Sequence, residues 1–241
     1  MIEFMDKLYT KGQTSFYQEV DQALRQERKM FVVTANPETL MIGEENKAFG
    51  DVLRDPKTTI VPDGIGVVKG ANMMGIPLDG RITGVDLSVF LLKSADAEKK
   101  KLYLYGAKEE VLQALLQKIK TEYPNIQVVG YKNGYQKDSE AVFLDMAEKE
   151  PDVVLVALGI PKQELLIYRY YDRFQKGVFV GVGGTFDVLS GAKKRAPSLF
   201  IKLNLEWAYR LMKEPSRLKR FYRSNVKFVG IIKKAKKNSR P

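Results

Sequence analysis

The residue of this 241-residue chain best suited to proton transfer is Asp63, set between Pro and Gly in Ile60-Val61-Pro62-Asp63-Gly64. A Pro-Asp-Gly tripeptide is in the first place a chain reversal, because Pro fixes φ and Gly tolerates positive φ. A second reading follows from two absences. The chain has no His and no Cys, so thiolate nucleophiles, His-based triads and the usual zinc sites are excluded. Acid-base work falls to Asp, Glu, Lys or Tyr, and a carboxylate with an ordinary pKa is ionised at neutral pH and can accept a proton. No Asp-x-Asp pair is present to hold a divalent ion on a diphosphate. A metal-free site is therefore expected, with backbone and solitary carboxylate ligands left open.

Other candidates are grouped at short polar breaks. Thr34 and Asn36 can hydrogen-bond a sugar or nucleotide, while Asn36-Pro37 also has the form of a helix N-cap followed by proline at the first helical position. Gln163 and Glu164, just after Pro161, share that ambiguity. Gly183-Gly184-Thr185 could offer backbone N–H groups to a phosphate, with Asp187 close by, or could be a plain strand-to-helix turn. Arg81 could meet phosphate, but a structural ion pair with Asp86 is the first expectation.

These breaks need elements to hold them. "MFVVT", "TTIV", "KLYLYG", "IQVVG", "DVVLVALG" and "GVFVGVGG" are apolar runs without clean alternation, as for strands covered on both faces. Between them 108–122, 139–150 and 162–174 carry apolar residues at three-to-four spacing. The pattern is α/β: a Rossmann-like, mostly parallel sheet with helices on both faces, whose ligands gather beyond the carboxyl ends of the strands. Asp63 and Gly64, and every other candidate named so far except Arg81, fall at such ends. The first residues are amphipathic and charged, and no run approaches the roughly 18 apolar residues of a membrane span, which points to a cytoplasmic protein.

The charge of +11 is not spread evenly. Residues 193–241 hold 16 Lys and Arg against 2 Asp and Glu, a net +14, whereas residues 1–192 hold 24 against 27, a net −3. The expected organisation is a catalytic core over 1–192 and a basic amphipathic helical appendage over 193–241. Within the appendage Glu214-Pro215 separates two helical pieces. In the second, Leu218, Phe221, Tyr222, Val229 and Ile232 form an apolar stripe, opposite Arg217, Arg220, Arg223 and Lys227, and the final "KKAKKNSR" is expected to fray. A solvated helix would carry compensating acids, and a nucleic-acid binder would show an aromatic platform or a recognition helix. Neither is present, so no nucleic-acid partner is expected. An amphipathic surface on an anionic membrane accounts for stripe and charge together.

"TANPE" (34–38), "VPDGIGVV" (61–68), "RITGVDL" (81–87), "LGIPKQE" (158–164), "GVGGTFDVLSG" (181–191), "RAP" (195–197) and "EWAYRLMKEPSRLKRF" (206–221) resemble, in order and over nearly the whole chain, the WecG/TagA/CpsF glycosyltransferase family. The resemblance implies inverting, metal-independent and cofactor-free transfer of N-acetylmannosamine from a UDP-sugar donor to the 4-hydroxyl of N-acetylglucosamine on undecaprenyl diphosphate. Another UDP-hexose, or a non-catalytic membrane-docked nucleotide-binding module, is the alternative. It also implies Asp63 as general base with Thr34 beside it, and substrate contacts from Asn36 and Gln163. Arg210, Arg217 and Arg220 are implied to meet diphosphate. The expected setting is the inner face of the cell membrane, with a homodimer in solution.

Overall fold

The structure, a computed structural model, describes residues 1–238; the side chains of Arg217 and Asn238 lie outside the described part. In chain order the elements are α1 (Ile2–Asp6), α2 (Gly12–Arg25), β1 (Lys29–Ala35), α3 (Pro37–Glu45), α4 (Lys47–Arg54), β2 (Thr58–Pro62), α5 (Ile65–Met73) and α6 (Gly84–Ala97). They continue with β3 (Lys101–Gly106), α7 (Glu109–Glu122), β4 (Gln127–Lys132), α8 (Ser139–Glu148), β5 (Val153–Ala157), α9 (Lys162–Tyr170) and β6 (Gly177–Gly181). The chain then forms α10 (Thr185–Leu189), α11 (Ser198–Lys202), α12 (Glu206–Lys213) and α13 (Leu218–Asn238). All six expected apolar runs are strands, and they form one sheet in the order β2-β1-β6-β5-β3-β4 with every neighbouring pair parallel.

Successive strand side chains point to opposite faces, so each central strand feeds two cores. Phe31, Val33, Tyr103, Val154 and Phe179 pack on the face covered by α3, α4, α5, α8 and α9. Val32, Leu102, Leu104, Leu155 and Val180 pack on the other, against α2, α6, α7 and α10. Because both faces are buried, the strands need no polar alternation, which is why their sequences read as continuous apolar runs. β4 departs from that reading. It lies at one edge of the sheet, where Val128 and Tyr131 stay exposed, whereas β2 at the opposite edge is buried.

β1 runs into α3 on the first face, whereas its neighbour β6 runs into α10 on the second. Adjacent strands whose helices leave to opposite faces open a crevice at their carboxyl ends. Thr34 bridges its floor, donating from Oγ1 to Gly181 O at 3.4 Å.

The appendage is not a loose arm. α13 packs on α3 and α5, burying Phe228 and Ile232 to 1% exposure in the first core. The seat exists because Gly70 has no side chain: a Cβ there would lie 2.8 Å from Phe228 Cζ. Burying a Phe and an Ile contributes on the order of 4 kcal/mol of docking. The stripe read from sequence is thereby split. Ile232 turns inward with Phe228, while Leu218, Tyr222 and Val229, joined by Val226, remain exposed. The basic side is not simply solvated, since Arg220 pairs with Glu38 at 2.9 Å and Lys227 with Glu45 at 2.6 Å, both acids of α3. α13 also continues through Lys236 and Lys237 rather than fraying there; the last residues of the expected frayed end, 239–241, lie outside the described residues.

Candidate active site

Asp63 leaves β2 beside the end of β1. Its backbone N–H and that of Gly64 both donate to Ala35 O, at 2.9 and 3.2 Å, and Ile82 N donates to Pro62 O at 2.7 Å. The turn is thus fixed from two sides, and Gly64 is required there because a Cβ would lie 2.9 Å from Asn36 Cβ. The Asp63 carboxylate accepts one backbone bond, from Gly84 N at 3.3 Å. Burial pushes its pKa up, while the guanidiniums of Arg210 and then Arg81 pull it down and Glu206 reinforces the rise. The ordinary carboxylate expected from sequence is therefore corrected: the recess makes Asp63 a stronger base than a free aspartate.

The carboxylate lines a cavity of about 320 Å³ between core and appendage. The core side supplies Asn36, Glu38, Lys69 and Arg81; α12 and α13 supply Trp207, Arg210, Arg220 and Phe221. Trp207 and Phe221 stack with ring centroids 5.1 Å apart and 7° between planes, an apolar slab facing the cationic groups. A second cavity, about 450 Å³, adjoins it and is lined by Gly184, Asp187, Lys193, Lys194, Arg195, Tyr209 and Lys213. Glu206 and Arg210 line both. The excess of cationic over acidic side chains suits both cavities to phosphate-bearing molecules. Among the described residues no three acids converge as a metal-ligand set.

Asn36 holds both parts foreseen for it. Its Oδ1 caps α3 by accepting from Thr39 N at 3.0 Å, and it faces the first cavity. Thr34 lies beneath, near Gly84 and Thr185, and lines neither cavity. Gln163 is 2% exposed; its Oε1 accepts from the N–H groups of Leu158, Gly159 and Gly183, and its Nε2 donates to Glu164 Oε1 at 2.7 Å. It ties the β5 and β6 ends together rather than facing either cavity. Glu164 is 1% exposed, its Oε2 has no partner, and burial raises its pKa to about 7. Gly183 adopts φ +50° and its N–H is engaged by Gln163, so the Gly-Gly-Thr segment serves first as a turn; Thr185 is buried, while Gly184 and Asp187 face the second cavity. Asp187 lies 3.8 Å from Lys193.

Arg81 forms an ion pair, but not the expected one. Its Nη1 lies 3.6 Å from Glu206 Oε2, whereas Asp86 is taken by Arg195 at 2.8 Å and by Thr83 Oγ1 at 2.6 Å. Arg210 and Arg220 both reach the first cavity; the side chain of Arg217 lies outside the described part. Sequence reasoning missed Glu206, Lys69, Trp207 and Arg195. Arg195, Glu206 and Trp207 stand within the segments that carry the resemblance, and Glu206 is also one of two acids in a segment of net charge +14; Lys69 left no signal.

A doubly wound α/β core thus sets a rim carboxylate opposite a cationic helical appendage, an arrangement suited to phosphate-bearing ligands. The model of the glycosyl transferase WecG/TagA/CpsF family matches residues 7–241, and the chain belongs to that family. It is 41% identical to the N-acetylglucosaminyldiphosphoundecaprenol N-acetyl-beta-D-mannosaminyltransferase of Bacillus spizizenii strain W23 over 229 residues, 95% of this chain and 89% of the relative. It is 44% identical to the protein of that name from Bacillus subtilis strain 168 over 209 residues, 87% and 81% of the two chains. The corresponding Staphylococcus aureus MW2 protein is 37% identical over 208 residues, 86% and 81%.

Proposed function

We propose that this protein is an inverting N-acetylmannosaminyltransferase that takes the sugar from a UDP donor and places it on the 4-hydroxyl of N-acetylglucosamine carried by undecaprenyl diphosphate. One observation carries the reading: Asp63, with its raised pKa, faces a cavity whose opposite wall is the arginine-bearing appendage. The acceptor oxygen attacks the anomeric carbon from the face opposite the leaving group as its proton passes to Asp63. The bond from that carbon to the β-phosphate oxygen breaks, and its electron pair leaves with UDP. Negative charge growing on the diphosphate is met by guanidiniums from Arg81, Arg210 and Arg220, with Arg217 as a further candidate. Asn36 and Gly64 border the sugar beside Asp63. Gly184 and Asp187 border the second cavity, and Thr34, Gln163, Glu164, Gly183 and Thr185 hold the strand ends in register beneath the reactants.

Residues 1–192 act as the catalytic core, and 193–241 as an appendage that meets the membrane and completes the site. No described helix is long and apolar enough to cross a membrane. The exposed Leu218, Tyr222, Val226 and Val229, with the lysines that follow, support peripheral attachment to an anionic inner leaflet. A homodimer in solution belongs to the same reading.

The test is a panel of UDP-sugars incubated with one undecaprenyl diphosphate-linked N-acetylglucosamine acceptor, read by product mass. Transfer of N-acetylmannosamine, retained in EDTA and lost in Asp63→Asn, is the expected result. UDP release without product, or equal activity in Asp63→Asn, overturns it.

A further inference from the structure

The reaction just described leaves Glu206 without a part. This carboxylate sits on α12 at 4% exposure, buried in a segment otherwise dominated by cations. Three arginines from three parts of the chain converge on it. Arg210 Nη2, one turn along the same helix, donates to Oε1 at 3.2 Å; Arg81 Nη1, from the core, lies 3.6 Å from Oε2; Arg195 Nε, from the connection after α10, lies 3.8 Å from Oε1. Only the first is a hydrogen bond. Arg195 Nε is buried with no hydrogen-bond partner.

Resting on the reading above, we propose that Glu206 is a positioning residue: a buried anion of the appendage that gathers Arg81, Arg195 and Arg210 at the junction of the two cavities and leaves most of their N–H donors free for diphosphate. An arginine presents five donors in a rigid fork, and this carboxylate consumes one donor among the three side chains. Arg81 and Arg210 line the first cavity, Arg195 and Arg210 the second. Three clustered guanidiniums repel one another unless an anion lies among them. Glu206, Asp86 and Asp63 are the carboxylates facing the three guanidiniums, so phosphate would meet donors already assembled. Because Glu206 belongs to α12 and Arg81 to the core, the same contact registers the lid against Asp63.

Glu206→Gln keeps the shape and removes the charge. The groups acting on Asp63 are Arg210 and Glu206 from α12, Arg81 from the segment before α6, the Gly84 N–H at the start of α6, and Arg195 from the connector. Loss of the Glu206 charge leaves the three cations unopposed from that side. The acidic limb of the transfer rate against pH is expected to move to lower pH. The plateau kcat is expected to fall about tenfold as the base weakens and the lid loses register. Glu206→Asp keeps the charge and is expected to retain the wild-type limb, while KM for the UDP donor rises several-fold because the shorter stem pulls the fan back. A purely structural part would lower rate and melting temperature with the acidic limb unmoved in Glu206→Gln. That result, or wild-type kinetics in both variants, overturns the proposal. If Glu206→Gln fails to fold, Glu206→Asp decides: a raised donor KM supports the positioning part and a wild-type KM refutes it. Absence of transfer by the wild-type enzyme, or full activity of Asp63→Asn, would instead refute the reaction itself.

Discussion

The core and the appendage dispose of their apolar residues in opposite ways. In the core, strand residues such as Val32, Phe31, Leu104 and Phe179 have no exposed surface, and the sheet is covered on both faces. The appendage buries Phe228 and Ile232 but leaves Leu199, Leu203, Trp207, Met212, Tyr222 and Val226 between 41 and 70% exposed. Hydrophobic content alone does not separate the two. The core satisfies its apolar groups internally, which makes it rigid enough to fix Asp63. The appendage uses one strip of α13 for docking and leaves another exposed, which is what the proposed membrane-facing appendage requires.

Asp63→Asn gives the largest expected effect, removing the proton acceptor while leaving the turn and its Ala35 bonds in place. Transfer should fall by about 10²–10⁴-fold while the protein stays folded; a smaller loss would refute Asp63 as the proton acceptor. Next is the joint between the regions. Phe228→Ala empties the seat over Gly70 and should cost about 3–5 kcal/mol locally, seen as faster amide exchange in α13 and a sharp loss of turnover, with exchange in β1, β5 and β6 unaffected. If the central strands also loosen, the appendage is part of the core and the comparison fails.

Glu164 offers a test confined to the core. Its folded pKa, about 7, lies above the unfolded value of 4.5, so its contribution to stability is fully present below pH 4.5 and is lost as pH rises through 7. Glu164→Gln should therefore stabilise the protein at pH 8 relative to pH 4.5, by up to about 3 kcal/mol, measured by urea unfolding at both pH values; equal effects at the two would refute the buried ionisation. The smallest expected change concerns the outward strip. Tyr222→Ser with Val229→Ser should weaken partition onto anionic vesicles by about tenfold and leave the melting temperature within a degree or two. Undiminished vesicle binding would show that lysines alone carry the attachment.

Much of this was legible in order along the chain. All six strands could be read from their apolar runs, five of them because a covered parallel strand needs no polar alternation, and the cap at Asn36-Pro37 because its chemistry is local. β4 is the exception, because whether neighbouring elements cover an edge strand leaves no mark on a short apolar stretch: β2, at the other edge, is covered and β4 is not. The partner of Arg81 was misassigned because Asp86 is near in sequence while Glu206 is 125 positions away yet adjacent in space. In α13 the apolar stripe was recognised but not its division, since which residues face inward depends on the groove that Gly70 opens in another helix.

By itself, the sequence determined the α/β pattern, the exclusion of thiol and imidazole chemistry, the rim position of Asp63 and the concentration of positive charge in the last fifth of the chain. Each follows from composition or from spacing within a few residues. Tertiary structure alone decided the raised pKa of Asp63, the convergence of three arginines on Glu206 and the pairing of appendage bases with α3. Burial and Coulomb interactions depend on distance through space, and a linear order of residues does not contain those distances.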